Sequence, residues 1–189
     1  MKELAEIRWH GRGGQGAKTA AQFLAEAALD SGKFIQAFPE YGPERAGAPM
    51  RAYTRICDKP INIHSGVTNP DAVVVIDSTL LTPEVLLGLP EDGVLVVNST
   101  ESVAEIREKL DYNHGKVAVV DATQIALDTI KVPMTNTPML GALIKIIPVV
   151  TLEAIQDKIK KKFIKKLGDK KTEANLEAIK RAYNEVKVG

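Results

Sequence analysis

The sequence predicts an α/β fold: a mostly parallel, doubly wound, Rossmann-like sheet with helices on both faces and a helical C-terminus. Short runs of β-branched apolar residues recur at residues 73–76, 94–97 and 117–120. Segments with apolar residues at helical spacing alternate with these runs, and a glycine-rich turn joins the first predicted strand to the first predicted helix. This alternation is typical of parallel strands that are covered on both faces.

Length and composition fit a soluble globular chain. The 189 residues, of which 44% are hydrophobic, predict one domain over residues 1–189, with C-terminal helices from about residue 151. A formal net charge of +1 gives no overall field that would attract nucleic acid or a membrane surface. No signal peptide or membrane-length apolar run is visible, so we expect a cytoplasmic protein.

The first predicted strand ends in the glycine turn, which consists of Gly11, Arg12, Gly13, Gly14, Gln15 and Gly16. Glycines let a strand reverse sharply into a helix and let another molecule approach the backbone closely. The free N–H groups at the start of the following helix suit an anion such as a phosphate. Two interpretations stay open: the six residues bind a ligand such as a phosphate, or they only form a tight turn.

Two nucleotide-binding motifs can be compared with this turn. The glycines fit G-x-G-x-x-G, which also requires an acidic residue about 20 positions further on, at a strand end. Glu40 is the nearest candidate, but it lies in a Pro/Gly-rich segment. A Walker phosphate loop is excluded, because Ala17 separates Gly16 from Lys18 where the motif needs the glycine and lysine adjacent.

The elements after the turn follow in order. Alanines at helical spacing predict a helix over residues 17–29 that packs closely on the sheet, and Gly32 is placed for a left-handed cap. Residues 34–38 predict a second strand and so a βαβ beginning, after which the loop 39–49 is too rich in Pro and Gly for regular structure. Residues 50–57 alternate as a half-exposed strand does, with Arg51, Tyr53, Arg55 and Cys57 on one face.

The second half of the chain repeats strand and helix patterns and then becomes helical. Small polar residues follow two strands at 77–79 and 98–100, where we favour helix capping over lining a crevice. Residues 136–144 predict a helix that is apolar on all sides and therefore buried. Residues 158–171 contain eight lysines and one acidic residue, but an apolar stripe through them favours a solvated helix face over nucleic-acid binding.

No catalytic or metal-binding residue is assigned from the sequence. The three histidines, His10, His64 and His114, lie in separate segments without metal-ligand spacing. The single cysteine, Cys57, excludes an internal disulfide and a cysteine-ligated cluster held by this chain alone, and we do not expect it to be a nucleophile. No recognisable hydrolase signature is present.

Three segments together carry a more specific signal: the glycine turn, the loop 39–49 (PEYGPERAGAP), and residues 136–143 (NTPMLGAL). In this order they resemble the gamma subunits of the 2-oxoacid:ferredoxin oxidoreductases, with the pyruvate:ferredoxin oxidoreductases the nearest group. The resemblance extends from the first strand to the buried helix, and it also fits the chain length and the helical C-terminus.

The resemblance implies a division of labour among subunits. The family decarboxylates a 2-oxoacid on thiamine diphosphate with Mg²⁺, passes electrons through [4Fe–4S] clusters to ferredoxin, and transfers the acyl group to coenzyme A. Alpha, beta and delta subunits are the expected partners, and the cofactors belong to other chains. This chain would be structural, inactive when isolated, with a possible contribution to the coenzyme A path.

The residues expected to dock against another subunit or to line the coenzyme A path are Glu40, Tyr41, Glu44, Arg45, Arg51 and Asn136. For most of the loop we favour docking, while Arg12, Arg45 or Arg51 would add positive charge near a phosphate. The alternative is a stand-alone nucleotide- or dinucleotide-binding enzyme, which the glycine turn and the α/β pattern permit. Neither nucleic acid nor a membrane is expected as a partner.

Overall fold

The structure is a computed structural model that describes residues 3–40 and 47–189. The strands are β1 (Leu4–Arg12), β2 (Phe34–Glu40), β3 (Pro49–Cys57), β4 (Ala72–Val75), β5 (Val94–Asn98), β6 (Lys116–Val120) and β7 (Lys187–Val188). The helices are α1 (Ala17–Asp30), α2 (Val103–Leu110), α3 (Ala122–Thr129), α4 (Asn136–Ile146), α5 (Leu152–Leu167) and α6 (Asp169–Glu185). Two 3-10 segments, Ser78–Leu80 and Pro83–Leu86, connect β4 to β5.

The described strands form one sheet in the order β2-β3-β1-β4-β5-β6-β7. Strands β1, β4, β5 and β6 are paired in parallel, and their side chains alternate between two cores. Val74 and Val96 pack with α1, α3, α4, α5 and α6, whereas Val73 and Leu95 pack with α2 and the 3-10 segments. Helical elements therefore cover both faces, which confirms the predicted α/β class.

The beginning of the sheet differs from a simple βαβ unit. β2 does not pair with β1, because β3 lies between them and is antiparallel to both. β2 consequently points in the same direction as β1, so the crossover through α1 exists but skips one position in the sheet. A strand's own residue pattern records which faces are buried and does not record which strand lies beside it.

Helix α1 packs as predicted. The alanines and the leucine of its inner face are 0% exposed, namely Ala17, Ala20, Ala21, Leu24, Ala27 and Ala28. Phe23 contacts Phe163 of α5 edge to face, with ring centroids 5.4 Å apart. Gly32 adopts the predicted left-handed conformation, with φ at 83°, and its N–H donates to the carbonyl oxygen of Leu29.

The prediction that β3 is half exposed is wrong for most of the strand. Arg55 is only 1% exposed and Tyr53 only 3%, because the segment after β3 folds back over this face. The Nε of Arg55 lies 2.7 Å from the Glu6 carboxylate, and its other nitrogens donate to Gln36 and to the carbonyl oxygen of Gly66. Arg55 thus belongs to a largely buried ion-pair network, whereas Arg51 at the start of the strand is exposed, and period-2 alternation alone does not distinguish the two environments.

The C-terminal helices cover the face of the sheet that carries α1. Residues Asn136 to Ile144 of α4 are all buried, as predicted, mainly beneath α6. In α5, Ile155 and Ile159 are fully buried, whereas Ile164 and Leu167 remain 37% and 41% exposed, so the predicted apolar stripe is covered only in its first half. None of the described helices combines the length and apolarity that a membrane span requires.

The contact between α4 and α6 depends on Gly141. A Cβ at this position would lie 2.1 Å from the carbonyl oxygen of Ile179, which is backbone and cannot rotate away. We expect Gly141→Ala to lower the free energy of unfolding by about 2 kcal/mol, despite the better helix propensity of alanine. Urea unfolding followed by circular dichroism measures this change.

The matched control is Gly66→Ala, where the nearest atoms to a Cβ are at 3.8 Å, an ordinary contact. This variant should unfold within about 0.5 kcal/mol of the wild type. Equal stability of the two variants would show that α4 and α6 separate at little cost.

Candidate functional site

The glycine turn lies at the carboxyl end of β1 and leads directly into α1. Gly14 and Gly16 have positive φ values of 97° and 82°, a region that glycine adopts without strain. At Gly16 a Cβ would also lie 2.6 Å from the side-chain Nδ2 of Asn136. The turn and the start of α4 are therefore in direct contact, and glycine at position 16 is required by both conformation and space.

Some of the backbone donors of the turn are used within the chain. The N–H of Gly13 donates to the carbonyl oxygen of Ala48 at 3.0 Å, and that of Gln15 donates to the carbonyl oxygen of Arg12 at 3.0 Å. The first intrahelical hydrogen bond of α1 runs from Ala20 to Gly16. The amides of residues 17–19 precede this bond and so have no partner inside the helix, as is usual for a first helical turn.

Side chains of the turn bridge the crevice between β1 and β4. The Nε of Arg12 lies 3.3 Å from Oδ2 of Asp77, and its Nη2 donates to Oγ1 of Thr79 at 2.9 Å. The side-chain amide of Gln15 donates to Oδ2 of Asp77 at 2.6 Å, and its oxygen accepts the N–H of Arg12 at 2.7 Å. We call these four side chains the Asp77 bridge. It occupies the crevice at the topological switch point, where an α/β sheet normally binds its ligand.

Asp77 therefore does more than cap a helix. It caps the first 3-10 segment by accepting the N–H of Thr79 at 2.9 Å, as predicted, and it also lines the crevice. Burial alone would raise the pKa of Asp77, but hydrogen bonds from Thr79 and Gln15 and the charge of Arg12 outweigh burial and hold this pKa below its ordinary value. Asn98, the last residue of β5, accepts the N–H of Thr123 and thus supports α3 rather than α2, the next helix along the chain.

The start of α4 carries two polar atoms that lack partners in the described part of the chain. Asn136 is 4% exposed and Thr137 is 1% exposed, yet Asn136 Oδ1 and Thr137 Oγ1 form no hydrogen bond there. Buried polar atoms are normally satisfied, so each such atom calls for an explanation. Asn136 adjoins Gly16, and the N-termini of α1 and α4 meet at this point.

Lys18, a second cation beside the turn, was not proposed as a site residue from the sequence. Lys18 is exposed in the first turn of α1 and forms no ion pair with the residues that the structure describes, whereas Arg12 is already paired with Asp77. The comparison with a Walker loop singled out Lys18 only to reject the motif. Its position at a helix N-terminus, where a cation is otherwise unfavourable, is the signal that would have found it.

A second polar group lies on the sheet face that carries α2. Glu40, Arg51 and His10 occupy one cross-strand row of β2, β3 and β1. His10 is 8% exposed, and its Nε2 accepts a hydrogen bond from the Nε of Arg8 at 3.1 Å. Burial, together with the charges of Arg8 and Arg51, lowers the pKa of His10 to about 3, so the imidazole is neutral.

The structure brings some of the predicted site residues together and separates others. The glycine turn adjoins Asn136 through Gly16. Glu40 and Arg51 line a neighbouring cavity with Thr79, which binds Arg12. Tyr41, Glu44 and Arg45 lie outside the described residues. Over residues 3–40 and 47–189 no group of three or more His, Cys, Asp or Glu side chains is arranged to hold a metal ion.

The neutral state of His10 gives the fold a specific acid sensitivity. Its folded-state pKa of about 3 lies below the ordinary value of 6.5, so the unfolded chain takes up the proton first as the pH falls. The stabilisation is complete above pH 6.5 and is lost on acidification. Relative to His10→Gln, the free energy of unfolding of the wild type should fall by about 1.4 kcal/mol per pH unit between pH 6 and pH 4.

Urea unfolding at a series of pH values measures this slope. The glutamine amide can still accept the hydrogen bond from Arg8, and His114→Gln serves as the control because His114 is exposed. The His114 variant should keep the wild-type slope. Parallel curves for the wild type and the His10 variant would contradict a neutral buried imidazole.

The fold and the site define a class: a doubly wound α/β subunit whose glycine turn lies against the start of a buried helix, as in the gamma-type subunits of 2-oxoacid:ferredoxin oxidoreductases. The chain belongs to the pyruvate ferredoxin/flavodoxin oxidoreductase family, which matches residues 6–185.

Individual proteins agree with this assignment. The crystal structure of pyruvate oxidoreductase subunit PORC from Thermotoga maritima has a TM-score of 0.90 and 53% identity, over 100% of this chain and 99% of that chain. The pyruvate/ketoisovalerate oxidoreductases common subunit gamma of Pyrococcus abyssi is 50% identical over 179 residues, which are 94% of this chain and 97% of the relative.

A more distant structure shares the fold. The 2-oxoglutarate:ferredoxin oxidoreductase of Magnetococcus marinus, solved with 2-oxoglutarate, coenzyme A and succinyl-CoA bound, has a TM-score of 0.77 and 20% identity. The match covers 97% of this chain and 31% of that chain. The gamma-type fold therefore occurs there as one part of a longer polypeptide.

Proposed function

We propose that this chain is the gamma subunit of a cytoplasmic pyruvate:ferredoxin oxidoreductase and acts there as one domain. Its partners are alpha, beta and delta subunits, which carry thiamine diphosphate, Mg²⁺ and [4Fe–4S] clusters and reduce ferredoxin. The choice of pyruvate rests on the Thermotoga maritima relative at 53% identity. The Pyrococcus abyssi relative, whose name joins pyruvate and ketoisovalerate, keeps a branched 2-oxoacid as the second candidate substrate.

Within the complex, the chain has a structural role and contacts a phosphate of coenzyme A at the glycine turn. One observation carries this assignment: the side-chain Nδ2 of buried Asn136, an N–H donor, lies beside Gly16, where the N-termini of α1 and α4 meet. Two helix N-termini provide partial positive charge and free amides for an anion. The N–H groups of the Asn136 side chain add further donors at the same place.

The residues of the turn fit a phosphate with two changes from the sequence prediction. The amides of Gly13 and Gln15 donate to Ala48 and Arg12, so among the described residues the remaining donors are the amides of Gly14, Gly16 and the first residues of α1. Lys18 replaces Arg12 as the cation of the site, because the charge of Arg12 is offset by Asp77. Coenzyme A supplies the thiol that accepts the acyl group, whereas these residues only bind and orient the phosphate.

The second candidate role is docking, for the loop 39–49 with Glu40 and Arg51. Arg51 and Glu40 are exposed at the same end of the strands as the turn, which suits contact with a neighbouring subunit. A stand-alone dinucleotide enzyme is less well supported, because the Asp77 bridge fills the switch-point crevice and Glu40 lies on the edge strand β2, which β3 separates from β1.

Lys18→Gln tests the phosphate contact in the assembled complex. Loss of one charge-assisted hydrogen bond should raise the apparent dissociation constant for coenzyme A about tenfold, with kcat at saturating coenzyme A nearly unchanged. Initial rates of ferredoxin-linked pyruvate oxidation across a coenzyme A titration measure both quantities.

Lys116→Gln is the matched control, because Lys116 is an exposed lysine that begins β6 at the opposite edge of the sheet. It should leave the titration unchanged. If Lys18→Gln also has no effect, the turn is a packing element and coenzyme A binds elsewhere.

The subunit assignment predicts that the purified chain alone oxidises no 2-oxoacid. Pyruvate, 2-oxoglutarate and a branched 2-oxoacid should each give no reduction of ferredoxin or viologen dye, and adding the partner subunits should restore turnover with one of them. Turnover by the isolated chain would refute the assignment.

A further inference from the structure

A cavity of about 420 Å³ lies beside the glycine turn, on the face of the sheet that carries α2. Its floor is the cross-strand row of Glu40, Arg51 and His10, and the 3-10 segments form its wall with Leu80 and Val85. This volume is within the range of small-molecule sites. Floor and wall differ in character, since the floor is charged and polar whereas Leu80 and Val85 are apolar.

Arg8 adds a buried positive charge at this floor. It is 5% exposed, and its Nη2 donates to the carbonyl oxygens of Val85 at 2.9 Å and Leu87 at 2.6 Å. In the part of the chain that the structure describes, no carboxylate forms an ion pair with Arg8. A buried cation that is satisfied only by dipoles leaves a net positive potential, and the energetic cost of burying it is high.

His10 presents a hydrogen-bond donor to the cavity. Its Nε2 is occupied as the acceptor for Arg8, so the neutral imidazole carries its proton on Nδ1. The low pKa of His10, about 3, reflects burial first and then the charges of Arg8 and Arg51. The imidazole therefore stays a neutral N–H donor beside two cations.

The charge of Glu40 acts on Arg8, but among the described residues neither carboxylate beside the cavity forms an ion pair with Arg8 or Arg51. Glu40 is the single acidic side chain among the described floor residues, and it accepts a hydrogen bond from the Tyr53 hydroxyl. Glu84, on the wall, is exposed and bonded to Thr82, the residue that precedes its 3-10 segment, and this bond lowers the pKa of Glu84. Arg51 is exposed, and its side chain lies near the Tyr53 hydroxyl that bonds to Glu40.

We propose that this cavity binds the oxyanion of a small molecule, a phosphate or a carboxylate, between Arg51 and His10. The rest of the ligand lies against Leu80 and Val85. The site is separated from the turn by Thr79, which lines the cavity and bonds to Arg12, so it does not depend on the phosphate contact of Lys18. Arg8 acts as a positioning residue that fixes the tautomer of His10.

Histidine side-chain NMR of the full-length chain tests this assignment. Titration with inorganic phosphate, with pyruvate and with coenzyme A should give a saturable shift of the His10 signals, identified by their loss in His10→Gln. The ligand that saturates at the lowest concentration distinguishes a phosphate source from a carboxylate source. Absence of any saturable shift with all three ligands overturns the proposal.

Substitution of Arg51 supplies the specific test. Arg51→Gln should weaken binding about tenfold or more, while Arg51→Lys, which keeps the charge but not the planar fork, should fall between it and the wild type. Arg181→Gln is the matched control, since Arg181 lies on α6 in surface ion pairs with Asp128 and Glu185. Equal affinity of the wild type and Arg51→Gln overturns the proposal.

Lys18→Gln separates this site from the glycine turn. The cavity predicts that Lys18→Gln leaves the His10 titration unchanged, whatever it does to coenzyme A kinetics in the complex. A His10 shift that disappears in Lys18→Gln and persists in Arg51→Gln places the oxyanion at the turn and refutes the cavity site, while the proposed phosphate contact of the turn stands.

Discussion

The carboxylate of Asp77 is the interaction on which the functional end of the molecule depends. One side chain at the carboxyl end of β4 binds Gln15 and Arg12 of the turn and caps the next segment of its own chain. The crevice where a doubly wound sheet usually accepts a nucleotide is thereby closed from within. Ligand binding is displaced to either side of this bridge, to the junction of Gly16 with Asn136 and to the cavity floored by Arg51.

Much of the architecture follows from local pattern. The runs at 73–76, 94–97 and 117–120, the alanine face of α1 and the uniformly apolar α4 each have a period and composition that allow few alternatives, and all are confirmed. The order β2-β3-β1 was not predictable, because antiparallel insertion of β3 depends on pairing between strands distant in sequence. Burial of Arg55 was missed for the same reason, since its partner Glu6 lies 49 residues away.

The candidate site likewise has features that the sequence shows directly and features that depend on contacts between distant segments. The sequence itself shows the glycines, the Asn-Thr-Pro start of a helix and the charged loop. The order of these three segments was enough to indicate the family. Which donors remain free is a property of three-dimensional contacts: Gln15 folds back onto Arg12, and Asp77 offsets Arg12, one of the three arginines proposed from the sequence to add charge near a phosphate. Lys18 becomes the candidate cation only because the charge of Arg12 is offset by Asp77. The cavity at His10 depends on a row across three strands, which no single segment displays.

The close approach of α4 to α6 at Gly141 limits how far the start of α4 can move when a ligand binds at the turn. Asn136 begins the same helix, and its side chain already touches Gly16. Protein interiors compress little. On the side of α4 that faces α6, the backbone of Ile179 packs directly against Gly141, so α4 has no space to shift in that direction. A molecule that enters at Gly16 must fit the existing gap or move α4 and α6 as one body. The backbone at the junction of Gly16 and Asn136 is therefore rigid, and only exposed side chains around it can adapt to a bound molecule.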